Sequence, residues 1–315
     1  MSDSTPPTPS LPEKPKSRTG WIVGIGIAAI AVIVAVVLIV VNLASPGSSA
    51  EAKRVTVKIG TTEQAAPYWT VLKKAAAKEN IDIQVVGFSD YTQANPALKS
   101  KQIDLNLFQH LLFLANYDVS DNADLVPIAS TIVVPLPLYS DKYKAVADIP
   151  TGAKIAIPND ATNQARALLV LQEAGLLKLK NGGTVLSTPA DIDASASKVT
   201  VLPVDAAQTA PALNSADGAI VNNNFALTAG LDPKSAIFQD DPKKSAAEPY
   251  INAFVARSAD KDNATYKKIT ELYHTKPVQD AVLAESKNTA VIVQRPQSEL
   301  ISILDELKKT VKAAN

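Results

Sequence analysis

The sequence predicts an α/β fold with two lobes and a ligand cleft between them, preceded by one transmembrane helix. From Val55 onward, short β-branched stretches alternate with helical stretches, which is the pattern of a sheet rich in parallel strands. The chain of 315 residues is too long for one sheet of this pattern, so we expect two α/β lobes. Before this region, the run from Trp21 to Val41 is apolar throughout.

The N-terminal part divides into three predicted segments. Residues 1–20 are rich in Pro, Ser, Thr and Lys, and we expect a disordered cytoplasmic tail. Residues 21–43 are predicted to be a transmembrane anchor, because the apolar run would span roughly 30 Å at 1.5 Å per residue. Residues 44–54 are predicted to be a flexible tether. A buried core helix would be shorter and amphipathic. A cleaved signal peptide has a shorter apolar region, but cleavage after Ala44 stays an alternative that would leave a secreted or periplasmic protein.

Charges around the apolar run predict its orientation. Lys14, Lys16 and Arg18 precede it, and no charge follows until Glu51. Positive residues stay on the cytoplasmic side, so we expect a single-pass cell-membrane protein with an extracytoplasmic C-terminal domain.

Local patterns predict the elements of the two lobes. Lobe 1 is expected at 55–144 and lobe 2 at 145–245, and residues 246–315 return to lobe 1. Predicted strands are 55–59, 81–88, 103–108, a proline-broken stretch at 125–139, 154–157, 199–204, 218–221 and 250–256. Predicted helices are 67–79, 91–101, 110–117 and 163–175, and three more segments end at residue 313.

Composition excludes several function classes. Thirty-one basic and 31 acidic residues give zero net charge, so a nucleic-acid partner is not expected. The absence of cysteine excludes disulfides, thiolate zinc sites and a lipid-modified cysteine, and two histidines disfavour a histidine-rich metal site. G-x-S-x-G, Walker A and H-E-x-x-H motifs are absent. We therefore predict no catalytic residues, no metal and no cofactor, and the protein is predicted not to be an enzyme.

The segment 157–168 joins a predicted strand to a predicted helix and contains Arg166. Backbone N–H groups at a helix start attract anions, and the arginine fork suits a carboxylate. The alternative is a capped helix with a surface arginine. Asn222, Asn223 and Asn224 follow another strand. They are either ordinary turn residues or a source of amide oxygens that accept hydrogen bonds from a ligand ammonium.

His110 and Phe113 also follow a strand end and lie three residues apart, so they share one face of a helix. They are either structural or form the wall of a hydrophobic side-chain pocket. Tyr91 and Tyr139 are either packing residues or ligand contacts.

Together these segments resemble the NlpA/MetQ family, the methionine-binding proteins of bacterial ABC importers. The resemblance covers roughly residues 55–313 and is carried by four motifs in order: Phe88-Ser-Asp-Tyr91, Leu107-Phe-Gln-His110, Ile157-Pro-Asn-Asp160 with Asn163-Gln-Ala-Arg-Ala-Leu168, and Val221-Asn-Asn-Asn-Phe-Ala226. It implies a type II periplasmic-binding-protein fold that encloses L- or D-methionine, with an ABC permease and its ATPase as partners.

The resemblance also implies roles for single residues. Arg166 would clamp the ligand carboxylate, and Asn222 and Asn224 would hold its ammonium or carboxylate. Tyr91, His110 and Phe113 would line the thioether pocket, and Tyr139 completes the predicted ligand-binding set. Alternatives are another apolar amino acid or a methionine-containing dipeptide as ligand, or an exported enzyme or sensor on the same fold.

Overall fold

The structure, a computed structural model, describes residues 54–314. Its strands are β1 Val55–Thr61, β2 Ile81–Gly87, β3 Leu105–Asn106, β4 Leu125–Ser130, β5 Ile132–Val133, β6 Pro137–Tyr139, β7 Lys154–Pro158, β8 Thr200–Val204, β9 Gly218–Ile220, β10 Phe238–Gln239, β11 Ala253–Arg257 and β12 Val291–Ile292. Its α-helices are α1 Tyr68–Lys78, α2 Ala94–Lys99, α3 Leu111–Ser120, α4 Ala161–Glu173, α5 Asn223–Thr228, α6 Ala264–Tyr273, α7 Lys276–Glu285 and α8 Gln297–Ala314.

The first sheet has the strand order β2-β1-β3-β11-β4. β1 lies parallel to both β2 and β3, with Val55 opposite Ile81 and Ile59 opposite Leu105. β11 is antiparallel to β3 and to β4. Because β1, β2 and β3 run in one direction, the residues that follow them lie along one edge of the sheet.

The second sheet has the strand order β10-β6-β9-β7-β8. β7 lies parallel to both β8 and β9, whereas β6 is antiparallel to β9 and β10. Gly218, in β9, permits the close approach of β6, because a Cβ at this position would lie 2.9 Å from the backbone oxygen of Tyr139. The residues that follow β7 and β9 therefore also gather at one edge.

Two connecting segments join the sheets. The chain leaves the first sheet after β4, forms the small antiparallel β5–β12 pair, and enters the second sheet at β6. It leaves the second sheet after β10 and returns at β11. The lobe ranges 55–144, 145–245 and 246–315 stay sequence predictions, and in the structure β6 already pairs within the second sheet.

Helices cover both faces of the first sheet. Leu72 of α1, Ile269 of α6 and Val278 of α7 belong to the core on one face. Leu112 of α3 and Leu304 of α8 belong to the core on the other. Each of these side chains is at most 1% exposed. Burial of such a side chain is worth about 1.5–3 kcal/mol, so the strand ends that carry the site are held by a packed core.

Local side-chain chemistry explains one difference from the predicted elements. The helix predicted at 91–101 is shorter, Ala94–Lys99. Asp90 accepts a hydrogen bond from the Thr92 backbone N–H at 2.8 Å, which forms a turn before the helix. This turn directs Tyr91 inward, where it is 8% exposed.

The predicted fold class included a transmembrane helix, and this part was wrong. Among residues 54–314, no helix combines the length and apolar character needed to cross a membrane. The longest, Gln297–Ala314, has 18 residues and carries charges such as Asp305 and Lys308. The predicted tail at 1–20, the anchor at 21–43 and nearly all of the tether at 44–54 lie outside the described residues. The fold class that the structure supports is the two-sheet α/β fold alone.

Candidate ligand-binding site

A cavity of about 80 Å³ lies where the two sheets face each other. This volume is several times what one water molecule needs. Many of its polar side chains, such as Thr62, Arg166 and Asn222, follow the carboxyl ends of parallel strands in the two sheets, whereas Glu285 and Ser286 lie at the end of α7. Six of the seven predicted ligand-binding residues line the cavity: Tyr91, His110, Phe113, Arg166, Asn222 and Asn224.

Tyr139 is the exception. It lies in β6, is 3% exposed, and lines a separate pocket together with Ser140, Lys144 and Lys234. Burial raises the pKa of its hydroxyl to about 12. The structure does not bring Tyr139 to the cavity of the other six, because the antiparallel direction of β6 places it away from the strand ends that form the site.

Arg166 is buried in the second turn of α4 and is held from three sides. Its Nε donates to Asp240 Oδ2 at 2.8 Å, and its Nη2 donates to the Val134 backbone oxygen at 2.8 Å. Its guanidinium carbon lies 4.2 Å from the centre of the Tyr250 ring, a cation–π contact. An arginine has five N–H donors, so among the described residues three remain without a hydrogen-bond partner. They are sufficient for a bidentate bond to a carboxylate.

His110 caps the start of α3. Its Nδ1 accepts a hydrogen bond from the Phe113 backbone N–H at 3.1 Å, so its proton is on Nε2. That nitrogen lies 3.4 Å from Asn163 Oδ1, in helix α4, which follows β7 of the second sheet. Burial and the nearby charge of Arg166 lower the pKa of His110 to about 3. The imidazole is therefore neutral at physiological pH.

We expect the His110→Asn variant to reduce the loss of stability at acidic pH. Below pH 6.5 the unfolded chain binds a proton at His110, whereas the folded chain does not bind it until about pH 3. The free energy of unfolding of the wild type therefore decreases as the pH is lowered from 6.5 to 3. The slope is about 1.4 kcal/mol per pH unit for this group. Asparagine keeps an N-cap acceptor and does not titrate. Urea unfolding at pH 7 and pH 5 measures the difference.

Both proteins carry the other acidic groups, so their contributions cancel in this comparison. These include Glu63 and Asp118, whose raised pKa values give the opposite pH dependence. Equal slopes for the wild type and His110→Asn between pH 7 and pH 5 would contradict the low pKa.

Asn163 connects the polar side of the cavity. Its Oδ1 also accepts from Asn222 Nδ2 at 2.9 Å, and its Nδ2 donates to the Asp160 carboxylate at 3.0 Å. These bonds fix the orientation of the Asn222 amide. The Asn222 Oδ1 is buried and has no hydrogen-bond partner within residues 54–314. Because an unpaired buried acceptor costs about 1–3 kcal/mol, this oxygen is suited to accept an N–H from a ligand.

Asn224 links the two sides of the cavity. Its Oδ1 accepts from the Tyr91 hydroxyl, and its Nδ2 donates to Thr62 Oγ1 at 3.1 Å. Asn224 follows β9, whereas Thr62 and Tyr91 follow strands of the first sheet. The protein therefore supplies a partner to each end of this amide, and Asn224 links residues that follow strands of the two sheets.

Aromatic rings form the apolar side. Tyr91 lies 6.0 Å from both Phe108 and Phe113, measured between ring centres, and 5.0 Å from Phe225. Such spacing is typical of packed aromatic side chains. The cavity thus combines an apolar wall with a polar side formed by Arg166 and Asn222.

Sequence patterns missed several residues of the site. Glu63 and Thr62 line the cavity just after β1, and the Tyr68 hydroxyl donates to Glu63 Oε1 at 2.9 Å. Burial raises the pKa of Glu63 to about 7. Asn163 belonged to the quoted motif but received no role. The only available sequence signal was position: Thr62 and Glu63 lie a few residues after the predicted strand 55–59, and they directly follow β1, which extends to Thr61.

A cluster of buried amide side chains includes Gln109, the residue before His110. Asn95 Oδ1 accepts from Asn106 Nδ2 at 2.9 Å and from Gln109 Nε2 at 2.6 Å. Asn95 Nδ2 donates to Gln109 Oε1 at 2.8 Å. All three side chains are at most 2% exposed. These bonds fix the backbone that carries His110 into the cavity.

Acidic and histidine side chains do not form a metal centre here. Among residues 54–314, no group of three or more of them is arranged to hold a metal ion. The cavity offers a ligand hydrogen-bond donors, one buried acceptor and aromatic contacts.

The sequence model of the NlpA lipoprotein family matches residues 57–294. The chain belongs to the NlpA lipoprotein family. The match contains all four motifs and every residue of the site described above. Within this family, the chain is 34% identical over 233 residues to a protein of Pasteurella multocida described as a probable D-methionine-binding lipoprotein MetQ, covering 74% of this chain and 83% of that protein.

Solved structures of similar proteins have the same fold. The substrate-binding protein of a methionine transporter from Streptococcus pneumoniae has a TM-score of 0.71 and 36% identity, covering 76% of this chain and 95% of that one. A nutrient-binding protein from Burkholderia cenocepacia, solved with methionine bound, has a TM-score of 0.70 and 35% identity, covering 75% and 99%. The periplasmic-binding-protein-like α/β fold expected from the resemblance is therefore confirmed.

Proposed function

We propose that this NlpA-family protein is the extracytoplasmic substrate-binding component of an ABC importer and that it captures methionine, L or D, between its two lobes. The observation that carries the proposal is the cavity itself. Within residues 54–314, it places three donors of a buried arginine and a buried amide oxygen, all without a hydrogen-bond partner, beside an aromatic wall. An amino acid with an apolar side chain has the three complementary groups: a carboxylate, an ammonium and an apolar chain.

Each end of the ligand meets one part of the site. Arg166 binds the carboxylate through its remaining N–H groups. Asn222 Oδ1 accepts a hydrogen bond from the ammonium. Tyr91 and Phe113 contact the thioether chain, and sulfur packs favourably against aromatic rings. Neutral His110 holds Asn163, and Asn224 holds the two lobes in the closed arrangement.

Capture and delivery follow from the two-lobed architecture. The bonds of Asn224 to Thr62 and Tyr91, and of His110 to Asn163, join residues of different lobes. A ligand that contacts both lobes favours the closed form over the open one. The closed lobes present one surface to a permease, and the protein binds its ligand without turnover. The relatives described as lipoproteins support an extracytoplasmic position for the binding domain.

A thermal-shift screen of the purified chain tests this function. L-methionine, D-methionine, leucine and a methionine-containing dipeptide are the candidate ligands, and lysine and methioninamide are the controls. A ligand at 100 times its Kd adds about 2.7 kcal/mol of stability. We expect a rise in Tm with methionine and little change with methioninamide, which lacks the carboxylate. Mass spectrometry of the incubated ligands tests the enzyme alternative by searching for turnover.

The outcomes separate the alternatives. If leucine or the dipeptide raises the Tm more than methionine does, that compound is the ligand in place of methionine. If none of these compounds raises the Tm, the proposed function is contradicted.

A further inference from the structure

Asp240 lies just after β10 and contacts two partners. Its Oδ2 accepts from Arg166 Nε at 2.8 Å, and its Oδ1 accepts from the Leu136 backbone N–H at 2.7 Å. The pair is shielded from solvent, with side-chain exposures of 5% for Arg166 and 18% for Asp240. Its geometry is therefore far better fixed than that of a surface ion pair.

All three anchors of Arg166 belong to the segments that connect the two sheets. Val134, whose oxygen accepts from Nη2, lies between β5 and β6. Asp240 and Tyr250 lie between β10 and β11. The arginine thus starts from α4 in the second lobe, but its guanidinium is fastened to both connecting segments.

We propose that Asp240 is a positioning residue for the binding site: it holds the Arg166 guanidinium with its three unused N–H groups available to the ligand carboxylate. This inference rests on the proposed binding of an amino acid at Arg166. Asp240 itself does not line the cavity, so it acts through Arg166.

The physical reason is the freedom of an arginine side chain. An unrestrained arginine has many rotamers, and ordering it on binding opposes affinity. The carboxylate fixes Nε, and the backbone oxygen of Val134 fixes Nη2, so the plane of the fork is set before a ligand arrives. The Leu136 N–H in turn fixes the carboxylate. The ordering of the arginine therefore occurs on folding rather than on binding.

The test is methionine binding, measured by isothermal titration calorimetry, in the wild type and three variants. Asp240→Asn keeps an oxygen for the Leu136 N–H but removes the charge that holds Nε. We expect its Kd to rise about tenfold. Asp240→Glu keeps the carboxylate, and we expect it to restore affinity to within about threefold of wild type. The matched control is Asp241→Asn, because Asp241 is exposed and its carboxylate accepts only from the Lys243 backbone N–H within the described chain.

Urea unfolding of each ligand-free variant measures the stability lost when the shielded pair is broken. Binding is compared under conditions in which every variant is fully folded, so that a raised Kd reports on the site and not on unfolded protein. The inference is overturned if Asp240→Asn binds methionine as tightly as wild type or more tightly. It is also overturned if Asp240→Glu is as weak as Asp240→Asn. If wild type itself shows no methionine binding, the proposed function fails first and this inference fails with it.

Discussion

Arg166→Ala is expected to weaken methionine binding by about 2–5 kcal/mol, which is at least about a 30-fold rise in Kd. The variant removes the three donors that remain for the ligand carboxylate. It also leaves the half-buried carboxylate of Asp240 without its cation. Isothermal titration calorimetry measures the affinity, and urea unfolding measures the accompanying loss of stability.

Two further variants test whether the effect comes from the Arg166 guanidinium itself. Arg166→Lys keeps the charge but loses the planar fork, so we expect an affinity between those of wild type and Arg166→Ala. Arg295→Ala is the matched control, because Arg295 pairs with Glu248 and Glu299 and does not line the cavity. Unchanged methionine affinity in Arg166→Ala would remove this residue from the site and would leave the cavity without its anion-binding group.

Asn95→Ala is expected to lower the free energy of unfolding by about 3 kcal/mol. The variant removes the only side-chain acceptor of Asn106 Nδ2 within the described residues and the partner of Gln109 Oε1. Each buried polar group left without a partner costs about 1–3 kcal/mol. Urea-induced unfolding of the ligand-free protein measures the change.

The control for this prediction is Asn214→Ala. Asn214 is exposed, and its Nδ2 bonds the Pro211 backbone oxygen at the surface. Exposed substitutions of this kind stay within about 0.5 kcal/mol of wild type. If Asn95→Ala and Asn214→Ala have similar free energies of unfolding, the cluster of Asn95, Asn106 and Gln109 contributes little to the stability of the fold.

The structure brings six of the seven residues predicted to bind the ligand to one cavity, and the reason is where strands end. Arg166, Asn222 and His110 each follow a recognisable strand, and the carboxyl ends of parallel strands come together in any α/β sheet. A resemblance carried by four ordered motifs then assigned chemistry to those positions. Tyr139 lies outside this cavity, because it ends a strand that runs in the opposite direction from its neighbour β9. Strand direction is not visible in a local pattern.

The sequence by itself determined most of the alternation of strands and helices, the absence of cysteine chemistry and the presence of polar residues after strand ends. These depend on interactions between near neighbours or on composition, which a single segment contains. The sequence did not predict the short elements α5, β10 and β12. Only the tertiary structure decided that Arg166 is fastened by Asp240, 74 residues away, and that Asn224 reaches Thr62, 162 residues away. Such partners are selected by the packing of two sheets and their connecting segments. The residues around one member of each pair contain no pattern from which the other member could be predicted.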